Sequence, residues 1–503
     1  MQTRFTQSTT WPASARSRSL ILFAALAVAS CGTIDRSLQQ QVALEAVEVS
    51  PPVDDDEEVQ RVAVEAADEG PPLRGDTPLP ADAGLEDYIQ IALRDSPTIR
   101  RAVRRVQVLG YEVPQVTSLS DPMVNLIPPT GDMVQTAAGM TAGGVSATQK
   151  IPFPGKLSTR GRSVEQSVRM ALSDLADARI STIAKVQRAY DAYYLADVSI
   201  RITRQSQQLL RQIRDVAAAR YRAGTATQQD VLRAEVELYG LTNELITLDQ
   251  RRTTARALLN SLMNRRVDAD LPLPNEFEIE QIEWKLPQAM DAAVQSNPQL
   301  ARVQAQIKRD LENVRLARLE YLPDLTIGYG STFISTSGVS PVSNGNDAWN
   351  LSFGLNLPIW WQRLRAQVLE MNAQALSSVE QYDELRTLIF FQLQDALVQI
   401  DTQYRQAVLL RDLIVPRAWQ TVEVSASAYR AGSVDFTPLI DNWRKWLEFS
   451  LDYHRALAGL EQRFADLQQL VGMRLPRTPP VPAAQAAVDE RSSNTPPEGT
   501  EQP

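Results

Sequence analysis

The residues able to carry reaction chemistry in this 503-residue chain are few. There is one histidine, His454, and one cysteine, Cys31. A single His rules out the imidazole clusters that hold zinc, and a single Cys rules out an internal disulfide. No Ser/His/Asp set, no metal-spaced ligand pattern and no Gly-rich phosphate loop joins a strand to a helix, so neither a catalytic residue nor a metal site is assigned. Met123, Met133 and Met140 suggest soft-metal handling by type, but thioethers scattered near a strand ordinarily serve packing. His454 lies in a helical pattern and reads as a surface or groove residue. The net charge of −9 leaves no basic face to displace phosphate counterions, which disfavours nucleic acid as a partner. Nothing binds a nucleotide. The composition points away from an enzyme.

Cys31 is the exception. Residues 1–30 contain Arg4, Arg16 and Arg18, no acidic residue, and an apolar run from Leu20 to Ala29 that is too short to span a bilayer. The run ends in Val28-Ala29-Ser30-Cys31, which resembles a bacterial lipobox, where cleavage precedes Cys and a lipid is attached to its sulfur. Gly32 follows rather than Asp, which fits delivery to an outer membrane. Residues 31–84 then read as a lipidated acidic and proline-rich tether (Pro51-Pro52-Val53-Asp54-Asp55-Asp56-Glu57-Glu58), with too little apolar content to offset the entropy of ordering. The tail 476–503 has the same character. No cofactor is expected beyond the covalent lipid.

Between these segments the chain repeats itself. Arg94-Asp95-Ser96-Pro97-Thr98-Ile99 returns as Gln295-Ser296-Asn297-Pro298-Gln299-Leu300, Gln149-Lys150-Ile151-Pro152-Phe153 as Leu355-Asn356-Leu357-Pro358-Ile359, and Tyr221-Arg222-Ala223-Gly224 as Tyr429-Arg430-Ala431-Gly432. The near-constant offset divides the body into a first repeat, 85–269, an inter-repeat linker, 270–286, and a second repeat, 287–475. Each predicts a short helix after the Ser-Pro or Asn-Pro start, then β segments, then a very long helix. Residues 162–223 contain neither Gly nor Pro and keep apolar residues three and four apart. The second copy predicts a helix from Trp361 to Val415, kinked by Pro416. Helices of this length need neighbours to pack on. The pattern resumes after each Tyr-Arg-Ala-Gly, which makes Gly224 and Gly432 the left-handed turn residues of two hairpin tips.

The β segments alternate. Leu351-Ser352-Phe353-Gly354-Leu355-Asn356-Leu357 and Leu325-Thr326-Ile327-Gly328-Tyr329 place apolar residues at every second position, and Met123–Ile127 and Val145–Phe153 are their first-copy counterparts. About 9–11 alternating residues suit a tilted membrane strand, and Trp349, Phe153, Trp360 and Trp361 sit at segment ends as a headgroup belt would place them. Two hairpins half-buried on a soluble core fit the alternation as well. Four strands cannot close a barrel and open edges do not survive in lipid, so membrane strands here require several chains to share one barrel.

Taken in order along residues 85–475, the duplicated strand–helix plan, the Pro152-Phe153-Pro154-Gly155-Lys156 segment, and the paired tips followed by Asp230-Val231-Leu232 and Leu439-Ile440-Asp441 resemble the TolC-like outer-membrane efflux factors. The lipobox is similar to that of the acylated branch serving resistance-nodulation-division (RND) pumps. The resemblance implies a mixed, mainly α fold in which three protomers share a β-barrel in the outer membrane and a helical tunnel across the periplasm. It implies a duct for small molecules or ions, driven by an inner-membrane pump through a periplasmic adaptor. The tip residues Ala223, Gly224, Ala431 and Gly432 would dock that adaptor. By match to the family's pattern, Asp441 falls at an aspartate of the gate ring, and Asp230 and Tyr429 at partners of a hydrogen bond that ties neighbouring helical pairs shut. Val434 stands where some members place a linking Arg, and Thr437 and Pro438 replace other constriction residues, which implies a gate held by fewer bonds. Two other readings stand beside this one: the outlet of a type I protein-secretion system, and a lipid-anchored periplasmic coiled-coil scaffold without a pore. Asp230 and Asp441 also suit a plain role at helix starts after the turns.

Overall fold

The computed structural model describes residues 79–80, 82–128, 135–136, 138–335 and 345–477. Cys31, Met133, the leader, nearly all of the tether and the tail beyond residue 477 lie outside them. In chain order the elements are α1 (Leu85–Asp95), α2 (Pro97–Thr117), β1 (Met123–Ile127), β2 (Gln135–Thr136), β3 (Gly139–Ile151), α3 (Lys156–Arg222) and α4 (Gln228–Leu262), then α5 (Leu286–Ser296), α6 (Pro298–Leu319), β4 (Leu325–Ser335), β5 (Ala348–Leu355), α7 (Trp361–Leu409), a π-helical turn (Leu410–Ile414), α8 (Val415–Ala431) and α9 (Phe436–Val471). Among the described residues no helix is long and apolar enough to cross a membrane.

Each repeat opens on two helices, not the one short helix expected. Ser96 and Asn297 adopt extended backbone (ψ 122° and 119°), because the ring of the following proline excludes the helical region for the residue before it. That ends α1 and α5. Pro97 and Pro298 then begin 21- and 22-residue helices at the position where a missing N–H costs nothing. Asn297 caps α6 by accepting from the backbone N–H groups of Gln299 (2.8 Å) and Leu300 (3.0 Å).

The chain divides into two compact units that cut across the repeats, each unit drawing on both. The first holds residues 103–172 and 302–382. Its sheet runs antiparallel in the order β1-β3-β4-β5, with the two-residue β2 attached to β3 off that path. The first-repeat hairpin therefore meets the second-repeat hairpin at β3–β4. Strand β3 begins six residues before the alternation becomes legible, because Gly139, Gly143 and Gly144 and a register shift between Thr141 and Gly143 mask the pattern. It stops at Ile151 because Pro152 cannot donate to a ladder.

Register sorts the side chains onto two faces. One gathers Val124, Leu126, Val145, Ala147, Ile327, Tyr329, Leu351 and Phe353, with Gln149 and Ser331 among them; the other is mostly small and polar, gathering Thr148, Ser146, Thr326, Gly328, Gly330, Ser352 and Asn350, with Met123, Ile127 and Lys150 on β1 and β3. The glycines leave room for polar neighbours there: a Cβ on Gly328 would stand 2.4 Å from Ser352 Oγ, and one on Gly330 2.4 Å from Asn350 Oδ1, so those side chains would have to turn away. Edge strands β1 and β5 are exposed throughout, and Trp349 is 72% exposed.

Helix α3 spans 67 residues and begins at Lys156, earlier than the Gly-free stretch suggested. Gly161 is a contact point and not a break, since a Cβ would lie 2.6 Å from Thr117 Cγ2 on α2. The second unit holds α1, α4, α5, α8 and α9, most of α3 and the part of α7 from residue 383. The helix expected to run from Trp361 to Val415 gives way at Leu410–Ile414, just before Pro416, to a π-turn. The strain is taken upstream by the π-turn, in which Val415 N–H donates to Leu410 C=O, and Pro416 sits in the first turn of α8 where its lost donor is harmless. Two cores hold this unit. Tyr88, Ile183, Val186, Tyr190, Leu259 and Met263 form one, and Leu210, Ala217, Ala234, Tyr429, Phe436 and Trp443 the other.

Candidate functional site

The second core ends at two hairpin tips. Gly224 (φ +72°) turns α3 into α4 and Gly432 (φ +80°) turns α8 into α9, both in the left-handed region where a Cβ is strained. Ala223, Gly224, Ala431 and Gly432 are exposed, and the Cβ position of Gly224 is open to 4 Å.

Side chains tie the hairpins to each other. The Tyr429 hydroxyl on α8 donates to Asp230 Oδ2 on α4 at 3.2 Å. Burial first, and then the Asp230 carboxylate, push the Tyr429 phenol up to about 12, so it remains a donor. Asp230 also has the plain role: it lies in the first turn of α4, where the hydroxyl of the N-cap residue Thr227 donates to its Oδ1 at 2.8 Å. Asp441 behaves differently. The N-cap of α9 is Asp435, so Asp441 caps nothing; its half-exposed carboxylate lies 3.4 Å from Arg444 Nη1 and takes no part in the Asp230–Tyr429 bond.

Sequence reasoning missed the other ties. Arg220 donates from Nη1 to the Tyr429 carbonyl and from Nη2 to Thr225 O (3.0 Å), with its guanidinium 4.6 Å above the Tyr429 ring. Arg444 on α9 pairs with Glu237 on α4, and Arg233 Nη1 on α4 donates to Thr437 Oγ1 on α9 at 2.6 Å. An open groove of about 400 Å³ lined by Leu232, Val236, Phe436 and Ile440 runs beneath these two links. Arg220 thus reaches the Tyr429 tip from the opposite hairpin. These arginines sit on the regular helical pattern with no motif to mark them.

His454 is half-buried on α9. Its Nδ1 lies 3.1 Å from the Tyr194 hydroxyl, and burial lowers its pKa to about 4, which keeps it neutral. Met123 is exposed on β1, Met140 lies on β3, and among the described residues no metal-holding cluster of His, Cys, Asp or Glu occurs. The sheet is the second candidate element, with one apolar face, one small polar face and two unpaired edges.

Comparison with known proteins places these features. Residues 88–265 and 289–473, matching the two repeats in turn, fit the family model described as outer membrane efflux protein. The chain is 21% identical over 329 residues to the cobalt-zinc-cadmium resistance protein CzcC of Cupriavidus metallidurans, covering 65% of this chain and 77% of that protein. It is 22% identical over 255 residues to toxin and drug export protein A of Aggregatibacter actinomycetemcomitans, covering 50% of this chain and 53% of that protein. The fold matches the solved structure of CusC with a TM-score of 0.68 at 16% identity, covering 80% of this chain and 98% of that one. The duplicated strand–helix plan, carried through both halves of the chain, makes it a member of the outer membrane efflux protein family, a family of channels and not of enzymes.

Proposed function

We propose that three copies of this chain form the outer-membrane duct of a tripartite efflux system, joined through a periplasmic adaptor to an inner-membrane pump of the RND type. The observation that carries this is the sheet. Its apolar face suits lipid and its Gly, Ser, Thr and Asn face suits water, yet strands β1 and β5 leave rows of unpaired N–H and C=O groups. Such edges are costly in lipid, and pairing the β5 edge of one copy with the β1 edge of the next removes them all. The exposed tips then offer the adaptor a surface of Ala and Gly that permits close helix approach.

The names of the two sequence relatives pair one with metal ions and the other with toxins and drugs. The polar face is mostly small and uncharged, its Lys150 being paired with Asp324, and favours neither, and substrate choice is accordingly assigned to the pump. The protein extracted in detergent is expected to run as a heat-modifiable trimer and to conduct in planar bilayers. A monomer without conductance would support the scaffold reading and end this one.

Lipid attachment at Cys31 is part of the same proposal, resting on the leader that ends there. Replacing Cys31 with Ser is expected to abolish incorporation of labelled palmitate while conductance persists, because the barrel itself holds the protein in the membrane. Undiminished labelling of the Ser variant refutes the assignment.

A further inference from the structure

In the second unit the C-terminal segment is clasped to the inter-repeat linker. Glu283 N–H donates to Arg477 C=O (3.1 Å), and the Trp284 indole donates to Pro476 C=O (2.9 Å). The Arg477 guanidinium spans Glu280 on the linker (2.9 Å) and Glu461 on α9 (2.8 Å), stacked 4.8 Å over the Phe464 ring. Asp191 of α3, 2% exposed, lies within the electrostatic reach of both Glu461 and Arg477.

Its neighbours are accounted for. From α9 come Glu461, held by Arg477, and Asp466, held by Arg188 of α3 and by Arg463 (3.0 Å). Arg188 also donates to Gln469 Oε1 (3.2 Å). Every carboxylate in the group except Asp191 has a guanidinium. Asp191 Oδ2 is buried with no hydrogen-bond partner, and so is Oε1 of Gln187. Residues four apart on a helix are neighbours, with Cβ atoms about 5–6 Å apart. These two unpartnered acceptors therefore lie on one face of α3, where a single proton on Asp191 can satisfy both. An ionised Asp191 would instead sit desolvated beside Glu461, with Arg477 and Arg188 each already paired to another carboxylate.

We propose that Asp191 is carried in the folded protein as a neutral carboxylic acid whose proton donates to Gln187 Oε1, and that its ionisation at rising pH loosens the Arg477 clasp between linker and C-terminal segment. Burial, followed by the Glu461 charge, raises the Asp191 pKa well above the ordinary aspartate value, in keeping with the geometry. The sign follows. An acid whose folded pKa lies above its unfolded one stabilises fully below the unfolded value, about 3.9, and the contribution is lost as pH rises toward the folded value, by up to tenfold in the unfolding constant per pH unit. The unpaired Nη1 of Arg477 is the rival donor to Asp191, and it predicts the opposite sign.

The test uses the full chain in detergent, comparing the parent with Asp191→Asn, whose amide supplies the same donor at every pH. Helix melting curves from pH 4 to 9 are expected to coincide at the acid end and to diverge upward, the Asn variant being more stable at alkaline pH. Hydrogen exchange at residues 276–284 and 474–477 should rise with pH in the parent alone. An Asn variant less stable than the parent at alkaline pH, or a pH-independent gap, overturns the proposal. Should the Asn variant fail to assemble, the parent still decides by infrared: a protonated-carboxyl band at neutral pH that shifts in Gln187→Leu supports the shared proton, and absence of such a band refutes it.

Discussion

Asp230→Ala combined with Tyr429→Phe is expected to raise single-channel conductance several-fold and to sensitise cells to large antibiotics that the closed duct excludes. The bond lost is a phenol donating to a carboxylate at 3.2 Å, half sheltered by Arg220 and Phe436. A hydrogen bond to a charged group contributes about 1.5 kcal/mol at the lower end of its range, so the closed-to-open ratio should fall roughly tenfold per chain. The single Tyr429→Phe separates gating from folding, since it keeps the ring that packs at 5.5 Å on Phe436 and lies under Arg220. Arg220→Ala should have a smaller effect in the same direction, because the Tyr429–Asp230 bond survives it. Asp441→Ala should leave this balance alone and, on the trimer proposed above, weaken block by multivalent cations, because its half-exposed carboxylate, 3.4 Å from Arg444, would then belong to a ring of three. Parent-like conductance in the double variant would place the gate elsewhere along the tunnel.

The parts of this tip that were legible act locally. Gly224 and Gly432 each follow a Tyr-Arg-Ala run, and glycine in the left-handed region is a backbone requirement that needs no distant partner. Pro97 and Pro298 fix helix starts for the same reason, whereas the extra helices α1 and α5 were hidden by their brevity. Alternation revealed β4 and β5, but the glycines of β3 blanked the same signal. Ion pairs left no trace. Arg220 meets the Tyr429 carbonyl 209 residues away and Lys156 meets Asp324 168 residues away, so no spacing along the chain connects them. Only the resemblance brought Asp230 and Tyr429 together in advance, and it could not supply Arg220, because that arginine reaches across from the opposite hairpin.

Asp324→Ala is expected to cost about 3–5 kcal/mol, enough to collapse the yield of assembled protein, because it strands a buried ammonium. Lys156 is 1% exposed at the start of α3. Its three protons go to Asp324 Oδ1 (2.8 Å), to the Leu322 carbonyl (3.0 Å) and, more distantly, to Glu320 (3.4 Å). Asp324 in turn accepts from Phe153 N–H (3.0 Å) and pairs with Lys150 (3.1 Å). The node thereby fastens the β3–α3 turn of the first repeat to the α6–β4 turn of the second. Lys156→Met should be milder, since Asp324 keeps Phe153 and the half-exposed Lys150. Lys156→Met with Asp324→Leu should be milder than Asp324→Ala alone, because a neutral pair leaves no orphan charge. Acid provides the second readout. Burial acts to raise the Asp324 pKa, but hydrogen bonds from Lys156, Phe153 N–H and Lys150 outweigh it and hold the value at about 2. A folded pKa below the unfolded value of about 3.9 gives stability that is present above that pH and is lost as pH falls toward 2. Thermal dissociation of the assembled protein should therefore steepen between those values in the parent and flatten in Asp324→Asn. Equal acid limbs in the two proteins, or an Asp324→Ala variant that melts with the parent, would show that Lys156 finds other partners at this junction.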